Sequence, residues 1–263
     1  MVNFLLKKSY QLKDLKEIEF KDLWGDHGVF TTMWIFGNPP KILFFKEHIN
    51  NLIKSMKAYS IKKSSIRSDI FKLLKKNLVT KKKYNHLLRI AINKKTISIS
   101  LRNRMKPKMN FNLKLVNLKR QKPEFKNLKY KDILKHLSKF DNSKSDIGLC
   151  SNKKIYETGT SNLLFIKNNK VFSPTNKFYK GITFKFFNLK IKKIIKKEIF
   201  VNSLHEYDEI ILIGSGKGVA SVKKIDQIKW KRNSLKHYRI LLKNYKSAVN
   251  NCPKYIYINN ERS

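Results

Sequence analysis

The spacing of apolar residues changes character along this chain, and that change limits the possible folds more than any single motif. Residues 29–36 (Val-Phe-Thr-Thr-Met-Trp-Ile-Phe) are a β-branched and aromatic run closed by Gly37-Asn38-Pro39-Pro40, which reads as a strand and a turn. From Lys46 the interval becomes helical: His48, Ile49, Leu52, Ile53 and Met56 share one face. A second helix is expected over 64–78, and strands over 87–92, 96–102 and near 111–117. A helix over 128–139 would take Asn127 as its cap. Short strands near 146–150, 153–156, 162–166 and 170–173 then precede a long helix over 183–196. Strands near 198–202 and 208–213, a glycine turn at 214–218, a strand near 219–223 and a last helix over 234–248 complete the pattern. Both halves mix strands and helices, so the fold class is α/β (α+β). The Lys-, Pro- and Asn-rich stretch 103–126 marks a boundary between a smaller domain, 1–115, and a larger one, 116–263.

Charge is the most conspicuous compositional fact. Lys+Arg number 59 against 18 Asp+Glu, for a formal net charge of +41. Apolar residues make up 41%, enough for a real core, which excludes a disordered basic tail. A nucleic-acid partner is the first thought. Yet 51 of these cations are Lys and only 8 are Arg, and they are spread over the whole chain. Specific base readout and bidentate phosphate contacts lean on Arg. Lys, Asn and Ile are what an AT-rich coding sequence accumulates, so the charge reads as compositional. Nucleic acid would then be bound only non-specifically and in a salt-dependent way. No run reaches the roughly 18 apolar residues of a membrane span, and the start, Met1 to Lys8, has no apolar stretch long enough for a secretory signal. Two cysteines, Cys150 and Cys252, make neither a disulfide framework nor a metal site, and the six histidines show no metal spacing. A cytoplasmic protein is expected.

Gly214-Ser215-Gly216-Lys217-Gly218 invites comparison with a nucleotide loop and fails it. Ile211 stands where a Walker loop needs Gly, Gly218 follows the Lys in place of Ser or Thr, and a strand-like run follows where a dinucleotide fold needs a helix. What remains is a turn able to serve as an anion cup or simply as a tight turn. Three other features sit in a suggestive order. Lys126 is surrounded in sequence by Lys122, Lys129 and Lys131, and crowded positive charge lowers a lysine's pKa and frees its amine for attack on a carbonyl. Glu157 ends a short strand. Gly181-Ile182-Thr183 opens a helix, where backbone N–H groups favour a phosphate.

Taken together, the chain resembles the class IV aminotransferase family over roughly residues 25–227. These are the pyridoxal-phosphate enzymes of the D-amino-acid aminotransferase, branched-chain aminotransferase and aminodeoxychorismate lyase type. Asp26 to Thr32 is similar to the family's Gly-Asp-Gly-hydrophobic-aromatic-x-Thr opening, and His48-Ile49-Asn50-Asn51-Leu52 to its His-x-x-Arg-Leu helix. Lys126-Asn127-Leu128-Lys129 resembles the catalytic Lys-x-Leu-Asn segment, Glu157 to Phe165 the Glu-x-x-x-Ser-Asn-hydrophobic-Phe segment, and Gly181-Ile182-Thr183 the phosphate motif. Ile213 to Val219 is similar to the Thr-Gly-Thr-Ala-x-Gly-hydrophobic turn.

The resemblance implies a two-domain homodimeric enzyme with pyridoxal 5'-phosphate as its cofactor and a small anionic, amino-acid-like substrate. It implies that Lys126 joins the cofactor covalently and shuttles protons, and that Glu157 keeps the ring nitrogen protonated. Gly181, Ile182, Thr183, Ser215 and Gly216 would hold the phosphate. Asn51 stands where the family has a phosphate-binding Arg, a loss that should weaken the cofactor about ten- to a hundredfold. Lys54, one helical turn on, could supply a substitute charge. Lys129 replaces the motif's Asn, and the turn at 93–95 is short. Thr in Phe30-Thr31-Thr32, where aminotransferases often carry Glu, tilts the reading toward 4-amino-4-deoxychorismate lyase, which forms 4-aminobenzoate and pyruvate for folate synthesis. The alternatives are a D-amino-acid or branched-chain aminotransferase, an inactive relative, or a basic nucleic-acid-binding protein.

Overall fold

The computed structural model describes residues 4–254; the extreme ends of the two expected domains, 1–3 and 255–263, lie outside the described residues. Among the described residues the chain divides into two compact units. The first takes the residues up to Arg104, Phe125–Lys129, and those from Asn251 on; the second takes Met105–Glu124 and Tyr130–Asn250.

The first unit is an antiparallel sheet covered by two helices. Its elements are β1 (Phe4–Gln11), β2 (Glu17–Ile18), β3 (Gly28–Gly37), β4 (Lys41–Ile42), α1 (Phe45–Ala58), α2 (Ile66–Asn77), β5 (Tyr84–Asn93) and β6 (Thr96–Asn103), with strand order β2-β1-β6-β5-β3-β4. The expected strands and both helices are present, within a few residues of the expected ends. Alternate residues of β3, β5 and β6 fill the core: Val29, Met33, Ile35, Leu88, Ile90, Ile92, Ile97 and Ile99. The buried stripe of α1, with Ile49, Leu52 and Met56, belongs to the same cluster. Strand β1 has no equivalent in the sequence reading. Its lysines and exposed end hide the pattern, and the free edge of β6 decides its state, with Ser9 opposite Ser98 and their hydroxyls 2.8 Å apart.

The second unit is a nine-stranded mixed sheet with three helices. It contains β7 (Asn110–Asn117), α3 (Lys131–Leu137), β8 (Ser145–Ser151), β9 (Lys154–Thr158), β10 (Asn162–Lys167), β11 (Lys170–Ser173), α4 (Ile182–Lys190), β12 (Ile194–Lys196), β13 (Glu209–Gly214), β14 (Gly218–Ile225), β15 (Trp230–Lys231) and α5 (Lys236–Asn250). The strand order is β12-β11-β10-β13-β14-β7-β8-β9, with β15 beside β14. Phe111, Phe165, Tyr207, Leu212 and Val222 anchor its core. The mixed α/β class therefore stands.

Three local expectations need correction. The helix expected over 183–196 ends at Lys190, because Ile194 and Ile195 pair in parallel with Val171 and Phe172 of β11. The strand expected at 198–202 is largely replaced by a 3-10 turn over Val201–Glu206. Helix α3 starts at Lys131, not 128, because the chain before it is spent on pairing with β3. The grouping of residues also differs from a cut near 115. Residues 110–117 pair with β14 and β8, and 125–129 hydrogen-bond to β3, so each segment goes with its partners. No helix among the described residues is long and apolar enough to cross a membrane.

Candidate active site

Lys126 sits in the first unit on an extended segment laid against the start of β3. The Phe30 N–H donates to the Lys126 carbonyl at 2.9 Å, and the Leu128 N–H donates to the Gly28 carbonyl at 2.9 Å. Only glycine fits at 28: a Cβ there would lie 2.4 Å from the Ile92 carbonyl oxygen and 2.8 Å from Leu128 Cδ1. Asn127 is fully buried in this pairing, opposite Val29, so it does not cap a helix; its Oδ1 accepts from the Lys129 N–H at 3.2 Å. The lysine Nζ lies 5.0 Å over the Phe30 ring.

His48 of α1 shares this neighbourhood. It is buried, and its Nδ1 is 2.8 Å from Thr31 Oγ1. Burial, with the charge of Lys126 second, pushes its pKa down to about 3, so the imidazole is neutral near pH 7. Asn51 lies one turn further along α1 and is half-buried, and Lys54 beyond it is exposed.

The remaining sequence-predicted residues gather in the second unit around one short segment, 157–162. Glu157 is buried on β9 and faces Arg120, whose Nη1 is 3.4 Å from Glu157 Oε2. Arg120 is itself buried; its Nη2 donates to the Pro123 carbonyl at 3.3 Å, and its guanidinium lies near the rings of Tyr130 and Tyr179. The Tyr179 N–H donates to Glu157 Oε2 at 3.4 Å, and the Gly181 N–H donates to Asn162 Oδ1 at 3.0 Å. Glu157 is thus linked to the start of α4 through the 179–181 stretch. Asn162 also pairs with Ile213 in the strand that leads to the 214–218 turn. Arg120 escaped the sequence reading. The available signal was its type: a chain that writes nearly every cation as Lys has kept a planar fork here.

The N-terminus of α4 has features that would suit an anion. Gly181 precedes it with extended backbone, no side chain caps it, and its first turn holds no acid. Thr183 is 1% exposed, and its Oγ1 has no hydrogen-bond partner among the described residues. A buried hydroxyl left this way costs about 1–3 kcal/mol. Lys196 stands alongside, with Nζ 4.4 Å over the Phe184 ring and 3.0 Å from Ser173 Oγ; burial, then the charge of Lys180, lowers its pKa.

A family model for amino-transferase class IV matches residues 28–225. The chain belongs to the class IV aminotransferases. Among solved structures it is similar to the branched-chain aminotransferase of Thermoproteus uzoniensis solved with norvaline, at 15% identity, TM-score 0.76, covering 95% of this chain and 97% of that one. It is similar to a hypothetical aminotransferase of Mycobacterium tuberculosis in its PLP-bound form, at 13% identity, TM-score 0.69, covering 91% and 98%. It is also similar to a Legionella pneumophila protein assigned as a 4-amino-4-deoxychorismate lyase, at 18% identity, TM-score 0.64, covering 83% and 91%. Such identities show the fold alone. A comparison with curated proteins finds no match.

Class IV aminotransferases are enzymes that use pyridoxal phosphate. The orphaned Thr183 hydroxyl and the uncapped start of α4 suit the phosphate of that cofactor, because an anion there would satisfy a buried hydroxyl that has no partner among the described residues. The buried carboxylate of Glu157, with Arg120 beside it, suits a ring nitrogen that must carry a proton.

Proposed function

We propose that this class IV aminotransferase is a 4-amino-4-deoxychorismate lyase, splitting its substrate into 4-aminobenzoate and pyruvate. The observation that carries the reading is the neutral pair beside Lys126, with Thr31 Oγ1 2.8 Å from His48 Nδ1. A carboxylate at position 31 would hold the lysine in a fixed ion pair. Thr31 and the neutral His48 leave its amine to act as the base and then as the acid.

In this reading Lys126 would hold the cofactor and would move the proton at the substrate carbon. Glu157 holds the proton on the ring nitrogen, with Arg120 fixing the carboxylate's orientation. Ile182 and Thr183 hold the phosphate from the start of α4, Gly181 gives the backbone its approach, and Ser215 and Gly216 hold it from the hairpin turn. Asn51 stands in for the family Arg as a neutral contact. The cofactor, when bound, supplies an electron-withdrawing ring. The substrate is a dianion, which so basic a surface attracts. We further propose a homodimer in the cytoplasm, checked by sedimentation and by fractionation.

The test is spectroscopic first. Pyridoxal phosphate added to the purified protein should give a visible band that Lys126→Ala abolishes; a colourless wild type would overturn the reading. Pyruvate release from 4-amino-4-deoxychorismate should then exceed amino-group transfer from D-amino or branched-chain amino acids. The reverse ranking would assign an aminotransferase, and cofactor uptake without either activity an inactive relative.

A further inference from the structure

Lys217 is the one lysine among the described residues that is buried. It occupies the unspecified position of the family's turn, so the family pattern gives it no role. It is the last residue of the three-residue loop Ser215-Gly216-Lys217 between Gly214 and Gly218, which pair with each other across the β13–β14 hairpin. Gly218 has φ +70°, and a Cβ there would lie 2.7 Å from the Tyr245 ring, so only glycine fits at this corner.

The Lys217 side chain turns inward to Asp146, which is fully buried at the head of β8. Its Nζ is 2.8 Å from Asp146 Oδ2 and also bonds Thr160 Oγ1. Asp146 Oδ2 accepts in addition from Thr158 Oγ1 and Thr160 Oγ1, each at 2.8 Å, and Oδ1 accepts from the Ile147 N–H at 2.8 Å. Both carboxylate oxygens are therefore occupied. Thr158 ends β9 directly after Glu157, and Thr160 lies in the turn that follows. Burying an ammonium is costly unless it is paired and hydrogen-bonded. Here the pairing ties the 214–218 turn to the end of β9, the strand that carries Glu157.

We propose that Lys217 is a positioning residue that fixes the 214–218 turn for a phosphate, acting through Asp146 and Thr160. The proposal rests on the cofactor reading above. Its charge is neutralised by Asp146, so it acts on the shape of the turn rather than by attracting the anion. It separates from a general stabilising role by its dependence on the phosphate.

The experiment titrates apo wild type, Lys217→Met and Thr160→Val with pyridoxal 5'-phosphate and, in parallel, with pyridoxal, which lacks the phosphate. Lys217→Met should weaken pyridoxal phosphate about tenfold, and Thr160→Val, a milder change at an exposed position, by about threefold. Pyridoxal affinity should stay within about twofold for both. Equal weakening of both ligands, or of neither, in a variant that melts cooperatively overturns the assignment. Thr160→Val alone decides it if Lys217→Met does not fold. If wild type takes up no pyridoxal phosphate, the cofactor reading itself fails, and this proposal with it.

Discussion

Helices α4 and α5 begin in the same unit and solve the same problem in opposite ways. The first N–H groups of any helix lack partners within it. At α5 a buried carboxylate supplies them. Glu209 of β13 accepts from the His237 N–H at 2.8 Å, the Tyr238 N–H at 2.9 Å and Ser234 Oγ at 3.0 Å. At α4 no acid stands in the first turn and the Thr183 hydroxyl is left unsatisfied among the described residues. The difference would suit the start of α4 to an anion, as the proposed reading requires.

The contrast can be broken most forcefully at α5. Glu209→Ala should destabilise the protein by about 3 kcal/mol, measured by urea unfolding, because three donors lose a fully buried charged acceptor. Its affinity for pyridoxal phosphate per folded molecule should not change, and a large loss would mean that α5 also serves the ligand. Thr183→Val should act with the opposite sign on stability. Removing an unpaired buried hydroxyl should raise the unfolding free energy by about 1 kcal/mol while weakening pyridoxal phosphate about tenfold. A variant that is both less stable and equally good at binding would reject the assignment of α4.

His48 provides a buried polar group of the completed kind and a pH test. Its folded pKa, about 3, lies below the ordinary 6.5, so between these values the unfolded chain binds a proton that the folded one refuses. The stability it contributes is whole above 6.5 and falls as the pH drops through that window. His48→Gln should lower the proton uptake on unfolding at pH 5 by about one, seen in the pH dependence of urea unfolding. A smaller effect is expected at Lys196→Met, about a two- to threefold loss of phosphate affinity, since a part-buried, screened charge contributes little. Lys54, exposed on α1, should matter less still.

Much of this was legible without coordinates, and the residues say why. The helical stripe of α1 and the strand β3 follow from apolar spacing, because each segment carries its own burial pattern. Lys126, Glu157, Gly181 and Thr183 were singled out as candidates from local motifs in order. Strand β1, the true end of α4 and the start of α3 were not, because each depends on a strand edge that offers or withholds hydrogen bonds. Arg120 and Lys217 were invisible as individuals among 59 cations. Their meaning comes from carboxylates 37 and 71 positions away.

The amino-acid order by itself determined the family and the mixed class and put forward the candidate chemistry-bearing residues, since spacing and side-chain identity are properties of short stretches. Which of those polar groups are satisfied internally and which stay open was decided only in three dimensions. A buried donor is complete or incomplete according to acceptors that the fold brings from distant strands, and no local pattern encodes that pairing.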